Sequence, residues 1–151
     1  MRGIYCLVFQ NRAVTLGIGA LGEVAFREGW HLYVGSAQGP GGLGARVGRH
    51  VHLAADKDRR PRWHVDRLLL SGAFVLRGAV CAATDDDLEC GLAAAIGGEA
   101  VEGFGCSDCR CFSHLFYRPD EPFTEVADAF TAIRLDPRIR KTNMGGCHLN
   151  V

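Results

Sequence analysis

Residues 30–53, WHLYVGSAQGPGGLGARVGRHVHL, constrain this chain more than any other stretch, because they dictate a strand, a glycine-rich break and a helix in immediate succession. Trp30, Leu32 and Val34 alternate with His31, Tyr33 and Gly35, so a strand here has one apolar face and another on which Tyr33 stands beside a residue with no side chain. That second face is open to a ligand. Gly39, Pro40, Gly41 and Gly42 end the strand, and from Leu43 onward Leu43, Val47, Val51 and Ala54 recur at helical spacing. Arg46, Arg49, His50 and Leu53 follow i, i+3, i+4, i+7, which lines the cations along the flank of the buried stripe. A tyrosine and an arginine are thereby set to converge on one anion.

Upstream, residues 3–10 alternate as a strand with Gly3, Tyr5, Leu7 and Phe9 on one face. Residues 13–18 and 23–27, around Gly17, Gly19 and Gly22, read as a hairpin. If the first strand pairs with the Trp30 strand so that Tyr5 and Tyr33 share a face, the two hydroxyls lie within a few ångströms, with Gly3 and Gly35 leaving space beside them. The plainer reading is that tyrosines favour strands and glycines end them.

Downstream, residues 56–62 (DKDRRPR) read equally as a solvated connector or a DNA contact, and residues 63–70 as a short amphipathic helix burying Trp63, Leu69 and Leu70. His64 and Asp66 fit a site, or a structural histidine and a surface aspartate. Apolar residues 72–82 suggest a strand, and Thr84 is a suitable N-cap for a helix over 85–96 with Leu88, Leu92, Ala95 and Ile96 buried. On composition alone Glu89 is an exposed helix residue. A loop over 97–111, a strand over 113–118 and a helix over 124–133 complete the domain, and residues 135–151 form a tail, basic at first and then glycine-rich, whose Asn143 or His148 folds back to the site in one reading.

Tyr33-Val34-Gly35-Ser36-Ala37 followed by Arg46-Val47-Gly48-Arg49-His50, with Gly3-Ile4-Tyr5 upstream and Glu89 downstream, resembles the GIY-YIG nuclease family in residue type and order. A closer likeness, carried by Trp63-His64-Val65-Asp66 and by Phe104-Gly105-Cys106-Ser107-Asp108-Cys109-Arg110-Cys111, is to a small branch of that family. Some of its members are fused to endonuclease III-type repair glycosylases. One departure stands out: the family's two triplets are usually separated by about ten residues, whereas Tyr5 and Tyr33 are 28 positions apart, with the hairpin occupying the extra length. The family's late Asn has no secure counterpart.

The resemblance implies an α+β fold in which a small antiparallel three-stranded central sheet is flanked by helices, here with an inserted hairpin and an extra C-terminal strand and helix. The nuclease-like domain would span residues 1–134. It also implies a metal-dependent endonuclease that cleaves DNA phosphodiester bonds in repair, leaving 3′-hydroxyl and 5′-phosphate ends. Tyr5 would be base or orienter of the attacking water, Tyr33 its neighbour, Arg46 the phosphate anchor and His50 an aid to proton transfer or substrate contact. Glu89 would hold one Mg²⁺ or Mn²⁺. Gly35, Arg49, Arg59, Arg60, Arg62 and His64 are the expected nucleic-acid contacts, and a repair glycosylase the expected partner. The alternative is a non-catalytic nucleic-acid- or protein-binding module on the same scaffold.

Composition fits one ordinary domain: 151 residues, 48% hydrophobic and 23% charged. Net charge is zero, which argues against a general nucleic-acid binder, but its distribution is uneven. Residues 44–67 carry seven cations against three acids, and residues 81–110 seven acids against one arginine. No apolar run approaches the ~20 residues of a membrane span, and no signal-peptide pattern opens the chain, so the expectation is a cytoplasmic protein without a membrane partner. A nucleotide cofactor is not expected, since the 39–44 loop lacks the Lys-Ser/Thr of a phosphate-binding loop.

Seven cysteines in such a chain read as thiols rather than a disulfide framework. Cys106, Cys109, Cys111 and His114 offer a zinc ligand set, but with tight spacing. The competing reading is a turn capped by Ser107 and Asp108, with the cysteines packed as small apolar residues.

Overall fold

From Gly3 to Phe9 every residue is buried, on both faces of the strand it forms, and a strand with no solvent face belongs at the centre of a sheet. The computed structural model describes residues 1–106 and 111–142. In chain order its elements are β1 (Gly3–Asn11), β2 (Val14–Gly17), a 3₁₀ turn (Gly19–Leu21), β3 (Glu23–Phe26), β4 (Gly29–Ala37), α1 (Gly42–Asp56) and α2 (His64–Leu70). There follow β5 (Phe74–Ala83), α3 (Glu89–Ile96), β6 (Leu115–Arg118), α4 (Phe123–Ala132) and β7 (Arg138–Lys141).

The fold is α+β, with a five-stranded antiparallel sheet in the order β6-β4-β1-β5-β7, and β2 and β3 pair as a separate hairpin. The sheet is thus larger than the three-stranded one expected. β4, β1 and β5 form its middle, β6 adds to β4, and β7 adds to β5. β7 falls within the segment read as a tail; Asn143, Cys147 and His148 lie outside the described residues.

Helices cover both faces. Tyr5, Leu7 and Phe9 join α1, α2 and the hairpin in one apolar cluster, while Ile4, Cys6 and Val8 join α3 and α4 in another. Full burial of a side chain such as Leu68 or Phe130 contributes about 1.5–3 kcal/mol, so each cluster holds its helices firmly. The turn into α1 requires glycine at position 42, where φ is +60° and an added Cβ would fall on the Met1 backbone.

The helix expected from Asp85 begins only at Glu89. Thr84 still donates its amide to the Arg2 carbonyl, and its hydroxyl accepts the Asp86 amide at 3.1 Å, so it closes a turn at the sheet edge instead of capping a helix. The delay places Glu89 in the first turn of α3.

Asp66, read as a surface residue among other options, is completely buried. Its carboxylate accepts both Arg49 guanidinium nitrogens at 3.0 Å and the amides of Arg62 and Trp63 at 2.7 and 3.0 Å. These bonds tie α2 to α1 and replace the solvation lost on burial. Burial alone would raise this carboxyl; the Arg49 pair and the two amides outweigh it and hold it below the ordinary carboxylate value. Asp66→Asn is expected to lower the unfolding free energy by about 3 kcal/mol, since it leaves the guanidinium without its counter-charge. Denaturant melts of both proteins measure it, and a loss under about 1 kcal/mol would show the network to be dispensable.

Candidate active site

Antiparallel pairing sets Tyr5 opposite Gly35 and Leu7 opposite Tyr33, so both phenols stand on one sheet face. The Tyr5 ring lies directly across Gly35, where any Cβ would collide with its hydroxyl and ring carbons. Glycine here makes room for the tyrosine itself, not for a ligand. Gly3, likewise, is filled in by the Ala82 carbonyl and Leu43.

A cleft of about 320 Å³ opens over this face. Its wall includes Tyr5, Tyr33, Gly35, Ser36, Arg46, Arg62, Trp63, His64, Glu89 and Gly105. The acid, the two phenols and the Arg46 guanidinium thus meet although they come from α3, β1, β4 and α1.

Gly35, Arg62 and His64 share that wall, whereas His50, Arg49, Arg59 and Arg60 are placed differently. His50 is 1% exposed and stands behind Tyr5, its Nε2 2.7 Å from the Tyr5 oxygen. It is one step removed from the cleft. Arg49 is committed to Asp66 and lies over the Trp63 ring at 4.3 Å. Arg59 lines a smaller cleft with Arg49, His52 and Leu53, and Arg60 is exposed outside both. His64 accepts the Gly105 amide on Nδ1 at 2.9 Å, which anchors the loop that closes one side of the site.

Trp63, read as a core residue, is half-buried on the cleft wall, with the guanidiniums of Arg46, Arg49 and Arg62 between 4.3 and 5.3 Å from its ring. The Trp63-His64-Val65-Asp66 match was the available signal for it. Ser36 and Gly105 lay within the other matched stretches but had no role assigned to them.

Burial dominates the electrostatics. It raises the Tyr5 phenol well above its ordinary value, Tyr33 adding to the rise and Arg46 opposing it. Tyr33 is raised by burial and by Glu89, with Arg46 again opposing. Both phenols are therefore protonated near neutral pH. Burial and Arg49 push His50 down to about 3, so its ring is neutral.

Glu89 keeps 23% of its side chain exposed, and His114 Nδ1 lies 2.9 Å from its Oε1. One partly solvated carboxylate facing a cleft with room for phosphate fits a hard divalent cation, which commonly takes one or two protein carboxylates and completes its shell with water and substrate oxygens. The zinc set weighed against a capped turn in the sequence is not assembled as such among the described residues. Cys111 bonds Cys90 as a disulfide, which corrects the thiol reading for that pair alone, Cys6 and Cys81 remaining thiols, and His114 Nε2 sits 2.8 Å from Cys111 Sγ. Packing of α3 against β4 brings the two Cα atoms to 5.7 Å across 21 residues of sequence. Cys106 Sγ points instead to the Cys111 carbonyl, and Cys109, Ser107 and Asp108 lie outside the described residues.

The family model described as Domain of unknown function DUF123 matches residues 4–135. The chain belongs to that family. The match takes in every residue of the cleft wall. No curated protein and no solved structure matches the chain. No helix among the described residues is long and apolar enough to cross a membrane.

His31, paired through Nδ1 with Asn11 Oδ1 at 2.7 Å, shares the behaviour of His50, burial and Arg27 lowering it to about 4. Both imidazoles titrate lower in the folded chain than in the unfolded one. Their contribution is therefore present above the unfolded value near 6.5 and lost as pH falls toward the folded values. The unfolding free energy is expected to drop by about 3 kcal/mol between pH 6.5 and 5. Denaturant melts across that range measure it; a flat profile would mean that the rings accept protons in place.

Proposed function

We propose that the chain is a metal-dependent endonuclease of the GIY-YIG type, hydrolysing phosphodiester bonds in DNA during repair. One observation carries the reading: Tyr5, Tyr33, Arg46 and Glu89, far apart in sequence, line a single cleft large enough for a sugar-phosphate link.

Hydrolysis needs a water held in line with the leaving oxygen and positive charge where the phosphorane develops. Arg46 supplies a guanidinium at the cleft wall, placed to fork onto two phosphate oxygens. Tyr5 donates its proton to His50 Nε2 when that nitrogen carries the lone pair, which turns phenol oxygen density toward an incoming water. The neutral state of His50 suits it to receive that hydrogen bond, although its low basicity opposes full protonation. Tyr5 is then an orienter of water first, and becomes a base only as positive charge accumulates beside it. A hard divalent cation at Glu89 would supply charge at the leaving 3′ oxygen. Arg62 and Trp63, on the same wall, suit a phosphate and a base or sugar face respectively.

A second reading, a DNA- or protein-binding module without catalysis, is favoured by the 1% exposure of Tyr5 and its engagement with His50. The two readings separate in one assay, in which branched, nicked and damaged DNA is incubated with Mg²⁺ or Mn²⁺. Cleavage is expected, with Tyr5→Phe and Glu89→Ala each lowering the rate by about 10²-fold or more. Salt-sensitive binding with no cleavage under either metal would favour the module, and cleavage indifferent to both substitutions would remove the assignment.

A further inference from the structure

Beside the cleft, on the far side of His114, three soft donors meet. Cys90 follows Glu89 in the first turn of α3, while Cys111 and His114 lead into β6. Cys90 Sγ, Cys111 Sγ and a ring nitrogen of His114 all lie within 4.8 Å of one another. His114 Nε2 is 2.8 Å from Cys111 Sγ and 4.0 Å from Cys90 Sγ. His114 is 2% exposed, and both cysteines are partly buried.

The other side of the same ring supplies an independent observation. Nδ1 faces the Glu89 carboxylate at 2.9 Å. A carboxylate there favours the tautomer with the proton on Nδ1, which leaves the Nε2 lone pair directed at the sulfurs. Metal-binding histidines typically keep a carboxylate beside their second nitrogen, and here the Glu89 oxygen lies at contact distance without the alignment of a hydrogen bond. Two thiolates and an imidazole form a soft set, suited to Zn²⁺ rather than to Mg²⁺ or Ca²⁺.

We propose that the reduced chain binds one Zn²⁺ through Cys90, Cys111 and His114 Nε2, with Glu89 orienting the imidazole from behind. This set differs from the tight Cys106, Cys109, Cys111 and His114 run in the sequence, because its first sulfur comes from α3. Access to the site requires opening the Cys90–Cys111 bond. A dithiol provides two electrons and two protons and leaves as its own disulfide; Zn²⁺ then displaces the two thiol protons as the thiolates bind. Oxidised and metal-bound forms are therefore mutually exclusive states of the same two sulfurs. The site is a binding site in its own right and does not depend on the hydrolase reading.

The test uses the full chain, reduced with a phosphine, desalted without oxygen and titrated with Co²⁺. Saturation is expected at one ion per chain, with sulfur-to-cobalt charge-transfer absorption that Zn²⁺ abolishes. The oxidised chain is expected to show none. Cys90→Ser and Cys111→Ser should each lose the absorption, and Glu89→Ala should weaken binding by about 10-fold to 100-fold, as loss of an orienting carboxylate does. Should a cysteine variant fail to fold, X-ray absorption of the Zn²⁺-loaded wild-type chain decides without it. Two sulfurs near ~2.3 Å and one imidazole nitrogen near ~2.0 Å are expected. No binding after reduction, equal binding to the oxidised chain, or a shell with no sulfur or with four would overturn the proposal.

Discussion

The register of β1 against β4 is the constraint on which the rest of the molecule depends. With Tyr5 opposite Gly35, the ring occupies the space that a side chain on β4 would fill, and its hydroxyl reaches His50 on α1. Strand side chains alternate with period two, so a slip of one residue would carry Tyr5 to the opposite face, among the α3 and α4 contacts. The phenol would then be buried against apolar residues without a partner. The 2.7 Å contact with His50 thus joins strand pairing to helix placement, and Arg46, one turn before His50, is carried to the cleft by the same fit.

Charge in the cleft is governed by what is already neutralised. Arg49 gives both its nitrogens to a fully buried carboxylate and contributes little free charge, so Arg46 and Arg62 represent the basic segment at the cleft wall. The excess of cations over residues 44–67 therefore overstates the field that a ligand meets. Glu89 works against phenol ionisation at both tyrosines, while Arg46 works for it, and burial decides the balance in favour of the neutral forms. Among the described residues, an anionic ligand entering this cleft meets two neutral phenols, two guanidiniums stacked on Trp63 and one acid. A cation beside the acid would reverse the least favourable of those contacts.

Local pattern was enough to read some elements and not others. Strict alternation around Tyr5 and Tyr33 placed both on strands, and helical spacing placed Arg46, because those features are set by neighbours in sequence. Periodicity carries no information about partners remote in the chain. Asp66 looked like any polar residue at the start of a helix, yet Arg49, 17 positions earlier, makes it a buried anchor. Cys90 and Cys111 gave no local sign of pairing, since their approach depends on how α3 settles on β4. β7, with the sequence RIRK, is largely exposed and short, so it has no buried face from which a strand could be inferred. Thr84 followed by three aspartates has the composition of a helix start, and lost that role to a turn held by the sheet edge. Glu89 was singled out by resemblance rather than by pattern, and its placement on the cleft wall follows from that late helix start.

His114 links the cleft to the sulfur cluster through the two sides of one ring. Its Nδ1 faces Glu89, the only acid among the described residues of the cleft wall, and its Nε2 faces Cys111. A neutral imidazole carries one proton, so the identity of the group at Nε2 bears on where that proton resides. Electron withdrawal at Nε2 by a bound cation would strengthen the attraction between the Nδ1 side of the ring and Glu89, and lower the charge density of that carboxylate. A disulfide at the same position exerts no such pull. The magnitude of any coupling is bounded by the difference in the Nδ1 contact between the two states, and by linkage it acts equally in both directions. A ligand that draws Glu89 away from His114 would therefore weaken the hold of the sulfur cluster on its own metal.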